Sequence, residues 1–187
     1  MNKDKELLRL RRKYQKGLKI SLVKMAGESQ MSEGMIGIVE YVDDAGQIHM
    51  KWENGSSLAL HEDEDDFEII APENIHVILV KPNFSPELVE IHNELKSMQK
   101  LVGGDIEQIS PFDDPIHVIY NRIGKSAGLE GNRVMCNHNG HPRDILNGDF
   151  FLGYAPIECD TLLDMPDDLA EKYMKLMESN SFQTDTR

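Results

Sequence analysis

The sequence predicts an α+β protein with two folded modules, and three patterns carry that prediction. Residues 46–53 alternate apolar and polar side chains, which is typical of a half-buried strand. Asn54 and Gly55 follow directly, and this dipeptide favours a tight hairpin because both residues accept positive φ values. Residues 166–178 place apolar side chains at helical spacing. We therefore expect mostly antiparallel strands, with a helix toward each end of the chain.

Residues 1–16 are predicted to form a basic amphipathic segment with a helix over 4–16. Acidic residues lie in its first turn and cations in its last, an order that complements the helix dipole. An apolar stripe at helical spacing gives the helix a face that can pack. Its outward cations are candidates for contact with nucleic acid, and they are Arg9, Arg11, Arg12, Lys13 and Lys16.

Residues 17–71 are predicted to form a small SH3-like antiparallel β-barrel. Short strands joined by tight turns favour a closed barrel, because closure removes exposed sheet edges. Trp52 is the largest apolar side chain of this module, so we expect Trp52→Ala to be its most damaging single change. The predicted strands are residues 18–22, 34–42, 46–53, 57–60 and 67–70.

Residues 75–178 are predicted to form a second α+β domain with a mostly antiparallel sheet and a C-terminal helix over 166–178. Its predicted strands are residues 75–80, 88–91, 105–110, 116–120 and 150–154. The weakly patterned residues 121–148 are expected to form irregular loops, and 179–187 a frayed tail.

A helix over 94–102, capped by Asn93, is the preferred interpretation of the segment after the second strand of this domain. Its apolar residues fall on one face, and Gly103 supplies the left-handed residue that ends a helix. The alternative is a helix that begins at Ser85 with Pro86 in its first turn.

The formal charge of the chain is −13, and it is distributed unevenly. Residues 1–24 carry nine Lys or Arg and two acids, a net charge of +7, so the remaining residues carry −20. Such acidity makes nonspecific binding to nucleic acid unfavourable and favours either solubility or docking onto a basic partner. The densest acidic run is a solvated loop or a docking patch for a protein with a basic surface, and it comprises Glu62, Asp63, Glu64, Asp65 and Asp66.

Neither a long apolar segment nor an apolar leader occurs in the sequence, so we expect a cytoplasmic protein that does not enter membranes. Two cysteines are too few for a disulfide framework. Cys136, His138, His141 and Cys159 have side chains that bind zinc, but their spacing does not match the usual ligand pairs. We expect no metal and no cofactor.

No pattern of residues indicates a catalytic site, so the expectation is a protein that is not an enzyme. A weaker set of polar residues in the second domain comprises Asn132, Arg133 and Asp144. An arginine near an aspartate can hold a loop or bind an anion. These three residues are therefore the candidates for small-ligand binding, in a pocket expected between the two modules.

Two resemblances to known families cover most of the chain. Residues 17–70, with Gly34-Met35-Ile36-Gly37-Ile38-Val39 and Lys51-Trp52-Glu53-Asn54-Gly55, resemble the domain of unknown function numbered 4314. Residues 76–154, with Gly103-Gly104-Asp105-Ile106-Glu107 and Gly148-Asp149-Phe150-Phe151, are similar to the one numbered 3846. These families are typical of phages, plasmids and conjugative elements of Gram-positive bacteria, and neither implies a catalytic residue.

The leading hypothesis is a non-enzymatic protein of a mobile element that binds and inhibits host defence or nucleic-acid-processing machinery through an acidic surface. An anti-CRISPR or anti-restriction protein would act in this way. One alternative is a nucleic-acid-binding accessory factor that uses the basic helix and the barrel. Another is a protein that binds or sequesters a small ligand such as a nucleotide. The oligomeric state and the identity of the target stay open.

Overall fold

The computed structural model describes residues 3–25, 27–137, 139–156 and 159–184. These residues form three α-helices and twelve β-strands, and the α+β class is confirmed. The chain divides into two compact units, residues 1–72 and 73–187, which are described separately below. In the described part of the chain, no helix has both the length and the apolar character needed to span a membrane.

The first unit consists of one helix and one antiparallel sheet. It contains α1 (Lys3–Lys13), β1 (Lys19–Lys24), β2 (Ile36–Val42), β3 (Ile48–Trp52) and β4 (Asp66–Ile69). The strands are ordered β3-β2-β1-β4, so β3 and β4 are the two edges. Helix α1 ends three residues before the predicted end.

The predicted barrel is not closed, which corrects the sequence-based expectation. Among the described residues, the strand expected at 57–60 is reduced to a single bridge between Leu60 and Ile48. The preceding turn explains this, because its polar groups bond locally: Ser56 N donates to Asn54 Oδ1 at 2.9 Å. Local side-chain hydrogen bonds of this kind compete with strand pairing. The result is an open four-stranded sheet.

The core of the first unit lies on one face of this sheet, as the alternation in β3 predicts. Ile48, Met50 and Trp52 are all buried, and the Trp52 indole donates to the carbonyl oxygen of Leu58 at 2.8 Å. The ring lies directly over β2, where a Cβ added to Gly37 would come within 2.6 Å of Trp52 Cε3. Only glycine leaves room for the indole at this position.

The described residues of the second unit form two sheets and two helices. In chain order its elements are β5 (Asn74–Val80), β6 (Glu87–His92), α2 (Leu95–Val102), β7 (Ile106–Ile109), β8 (Ile116–Asn121), β9 (Gly131–Cys136), β10 (Pro142–Asn147), β11 (Phe150–Tyr154), α3 (Asp167–Met177) and β12 (Ser181–Gln183). The larger sheet is antiparallel and ordered β6-β5-β11-β8-β7, whereas the smaller one is ordered β10-β9-β12. Helix α3 packs against β5 and β6.

Helix α2 covers one face of the larger sheet, where Ile75, Val77, Ile119 and Phe151 form its core. Gly103 ends the helix in the left-handed conformation, with φ of 73°. The expected cap is wrong, however, because Glu94 occupies the N-cap position. The side-chain amide of Asn93 instead donates to the carbonyl oxygen of Leu162 at 2.9 Å and so holds the loop before α3.

Two further predictions for the second unit are wrong. Residues 121–148, expected to be irregular, contain β9 and β10, and the tail expected to fray contains β12, which pairs in parallel with β9. One of the two buried residues of β9 is charged, Arg133, so the strand does not show apolar alternation in the sequence. Residues 185–187 of the predicted tail lie outside the described residues.

Candidate functional site

Glu62, in the loop that precedes β4, is the centre of a charged cluster in the first unit. Its Oε1 accepts hydrogen bonds from Lys13 Nζ at 2.8 Å, Tyr14 OH at 2.7 Å and Arg9 Nη1 at 3.2 Å. Arg9 Nη2 also contacts the second carboxylate oxygen, and Arg9 Nε donates to Glu6 at 2.8 Å. The Glu62 cluster, which is Glu62 with Arg9, Lys13 and Tyr14, therefore ties α1 to the loop.

Burial and hydrogen bonding act in opposite directions on Glu62. Desolvation by burial raises its pKa, but the hydrogen bonds from Arg9, Lys13 and Tyr14 outweigh that effect and lower the pKa from 4.5 to about 2. The hydrogen bond to Glu62 is also the largest cause of the raised pKa of Arg9. Both groups are therefore charged at neutral pH, and the pair is fixed within the fold.

The cations predicted to contact nucleic acid are largely engaged within the first unit. Besides Arg9 and Lys13 in the Glu62 cluster, Arg11 donates to Asp44 at 2.7 Å and to the carbonyl oxygen of Val42 at 3.2 Å. Lys13 has only 5% of its surface exposed. Arg12 is half-buried, and Lys16 is exposed. Arg9, Arg11 and Lys13 thus have carboxylate partners in the chain itself.

The predicted acidic patch separates into internal and external residues. Glu62 lies in its cluster, and Asp65 Oδ2 accepts a hydrogen bond from the backbone N–H of His61 at 2.8 Å, which shapes the loop. The external residues continue onto β4, where Glu68 also faces solvent. We call the exposed set the acidic edge, and it comprises Asp63, Glu64, Asp66 and Glu68.

Glu68 was missed in the sequence, although the alternation of β4 contains the signal. The burial of this strand alternates, so Asp66 and Glu68 face outward while Phe67 and Ile69 face the core. Because β4 is an edge strand, these carboxylates lie at the boundary of the sheet. A partner can therefore approach them from the side as well as from above.

Arg133 is buried, with 2% of its surface exposed, and its hydrogen bonds are structural. Its Nε donates to the carbonyl oxygen of Met177 at 3.0 Å, and its Nη2 donates to that of Phe84 at 3.0 Å. Nη1 donates to Asn132 Oδ1 at 2.8 Å. Desolvation lowers the pKa of Arg133, and these acceptors compensate for the burial of its charge.

The other two residues of the weaker set are also engaged. The side-chain amide of Asn132 donates to the carbonyl oxygens of Val80 and Gly148, at 2.9 and 2.8 Å. Asp144 is exposed and pairs with Lys125 at 2.6 Å, and the hydrogen bond from Lys125 is the main cause of its lowered pKa. Asn132 and Arg133 therefore fasten strands and loops, while Asp144 has a different partner.

The candidate metal ligands are not brought together in the part of the structure that is described. Cys136 is buried in β9, Cys159 is half-buried, and His141 is exposed. His138 lies outside the described residues. Among the described residues, no group of three or more potential metal ligands occurs.

Comparison with known families gives two matches that together span most of the chain. Residues 75–178 match Domain of unknown function (DUF3846), and residues 3–70 match Domain of unknown function (DUF4314). The second match begins earlier than the resemblance seen in the sequence and includes α1. Searches of the curated proteins and of the solved structures found no match.

Proposed function

The chain belongs to the DUF3846 family and also carries a DUF4314 domain. We propose that it is a non-enzymatic binding protein. Its partner is a protein with a basic surface, which the acidic edge contacts. The resemblance implies an origin in a phage, plasmid or conjugative element. The proposed setting is accordingly the cytoplasm of a Gram-positive host, and the proposed target is its defence or nucleic-acid-processing machinery.

One observation supports this proposal above all others: the fold pairs three cations of α1 with carboxylates of the chain itself and leaves the acidic edge in solvent. Arg9 and Lys13 bind Glu62, and Arg11 binds Asp44. Asp63 and Glu64, by contrast, are exposed at the tip of their loop. Exposed charges of one sign accelerate encounter with an oppositely charged surface and select against a like-charged one.

Nucleic-acid binding through α1 is less well supported for the same reason. A helix that binds phosphates needs cations that are free to replace counterions. Lys16 is exposed, but Lys13 is buried and already paired. If α1 nevertheless bound DNA or RNA, the association would weaken steeply between about 50 and 200 mM salt.

A matched pair of charge variants tests the proposal. Asp63→Asn with Glu64→Gln neutralises two residues of the acidic edge, whereas Glu33→Gln with Glu40→Gln removes the same charge from exposed positions elsewhere in this unit. Each protein is used to capture complexes from a Gram-positive host and is tested for inhibition of the nucleases captured. The assays are run at about 50 and 200 mM salt.

We expect the wild type and the Glu33/Glu40 variant to capture and inhibit the same basic target in a salt-sensitive way, and the Asp63/Glu64 variant to lose both activities. Capture that is insensitive to salt, or equal losses in the two variants, would contradict docking through the acidic edge.

A further inference from the structure

Among the residues that the structure describes, β8 is the one strand paired with β7 in the second unit, so the outer edge of β7 can pair with another strand. β7 is the last strand of the larger sheet. The N–H of Arg122 donates to the carbonyl oxygen of Asp105 at 2.8 Å, which makes these two residues a hydrogen-bonded pair in the β7–β8 ladder. Such pairs alternate along antiparallel strands, so the N–H and C=O groups of Ile106 and Gln108 point away from β8.

A cavity of about 300 Å³ lies beside this edge and shares its residues. Ile106 and Gln108 line one side of it, and Met98 of α2 lines another. Ile119 and Leu162 also contribute to its apolar surface. The two residues of β7 that present backbone groups to the outside therefore also present side chains to the cavity.

The rim of the cavity is acidic. Glu94 and Asp160 line it, and both are exposed. No lysine or arginine occurs among the described residues that line it. An apolar interior with carboxylates at its opening suits a long cationic side chain, whose methylene stem packs against apolar atoms while its charged end meets carboxylates. A phosphate would be repelled.

We propose that an extended segment of a partner protein pairs with the outer edge of β7 and inserts an arginine or lysine side chain into this cavity. Addition of a strand to a sheet edge provides main-chain hydrogen bonds, and an adjacent pocket provides specificity for one side chain. The inference rests on the proposed function, because it takes the partner to be basic. It adds a second contact to that of the acidic edge, and this second contact lies on the DUF3846 domain.

The cavity also provides a hydrogen-bonding group that carries no positive charge. His117 lines it, and burial lowers the pKa of this histidine. Its ring nitrogens contact Ser110 Oγ only at long range, 3.4 and 3.5 Å. A neutral imidazole does not repel an incoming guanidinium or ammonium group, and it can accept a hydrogen bond from either.

The test uses a capped, fluorescein-labelled heptapeptide that alternates arginine with valine, titrated by anisotropy against the full-length protein. A second peptide carries the same charges but has N-methylated backbone amides, which cannot donate to a strand edge. A third replaces each arginine by 2,3-diaminopropionate, which keeps a cation but lacks the long stem. Because the protein is unchanged in these three titrations, its folding cannot account for any difference.

Two protein variants complete the test. Glu94→Gln with Asp160→Asn neutralises the rim of the cavity, and Glu87→Gln with Glu171→Gln removes the same charge from exposed positions on β6 and α3. We expect the rim variant to bind the arginine peptide about tenfold more weakly than the control variant does. The two modified peptides should lose affinity by a similar factor, and the amides of Ile106 and Gln108 should gain protection from hydrogen exchange.

Equal binding of the arginine peptide and its N-methylated form would overturn the edge pairing. Equal weakening by the rim and control variants would reduce the interaction to nonspecific charge and overturn the cavity assignment. The Asp63→Asn and Glu64→Gln changes lie in the other domain and should leave peptide binding unchanged. The experiments therefore distinguish a failure of docking through the acidic edge from a failure of peptide binding at β7.

Discussion

Replacement of Glu62 by Gln is expected to destabilise the first unit by about 2 kcal/mol. The change keeps the shape of the side chain but removes the carboxylate charge that pairs with Lys13, which is 5% exposed. The fall in the pKa of Glu62 from 4.5 to about 2 corresponds to about 3 kcal/mol. Solvent screening at Arg9, whose side chain is 41% exposed, reduces the expected loss to about 2 kcal/mol.

Urea unfolding followed by tryptophan fluorescence measures this loss directly. Trp52 is the only tryptophan of the chain and lies in the first unit, so its emission reports on that unit. The pKa of Glu62 is lower in the folded state than its ordinary value. Its contribution is therefore complete above pH 4.5 and is lost as the pH falls toward about 2. The difference between wild type and variant should shrink over that range.

Glu64→Gln is the matched control, because Glu64 is exposed in the same loop and its loss should change stability by less than about 0.5 kcal/mol. A double-mutant cycle with Lys13→Met isolates the interaction of Lys13 with Glu62. If Glu62→Gln costs no more than Glu64→Gln, or if its effect does not change below pH 4.5, the Glu62 cluster does not stabilise the unit.

Three further predictions concern stability. Trp52→Ala should destabilise the first unit by about 3–5 kcal/mol, because it empties a fully buried indole site. Urea unfolding followed by circular dichroism should show a lower midpoint; a loss of stability smaller than that of an exposed substitution would contradict this. Arg133→Met should destabilise the second unit by about 2–3 kcal/mol, since it removes the donor to the carbonyl oxygens of Phe84 and Met177. Calorimetry measures this loss, and an unchanged melting temperature would show that these hydrogen bonds contribute nothing. Phe182→Ala should cost about 3–5 kcal/mol, because this ring is 3% exposed. A tail that exchanges its amides freely in the wild type would contradict the pairing of β12.

Much of the sheet framework could be predicted, because apolar alternation and β-branched runs determine those strands locally. Residues 75–80 and 150–154 are examples, and both correspond to observed strands, β5 and β11. β9 could not be predicted in this way. One of its two buried residues is Arg133, and the carbonyl groups that stabilise the burial of Arg133 come from positions 49 and 44 residues away. The prediction of a closed barrel was wrong because, in the described part of the chain, the strand expected at 57–60 is a single bridge between Leu60 and Ile48.

The candidate site was only partly visible in the sequence. The acidic run is evident from composition, but composition does not distinguish Glu62 from Asp63. The distinguishing signal lies in α1, where Arg9 and Lys13 are four residues apart and share a face. Two cations on one helical face need an internal carboxylate when that face packs against the rest of the unit. The sequence does not identify which carboxylate, because Glu62 lies 48 residues beyond Tyr14.

The most direct measurement is a comparison of two ligands for the same full-length protein under the same conditions: a labelled DNA duplex and the labelled arginine–valine peptide, each titrated at about 50 and 200 mM salt. Because Arg9, Arg11 and Lys13 are paired with carboxylates and the rim of the β7 cavity is acidic, we predict peptide binding that weakens with salt and no DNA binding at either concentration. DNA binding at about 50 mM salt that is lost on Arg12→Gln with Lys16→Gln, together with no peptide binding, would contradict the account.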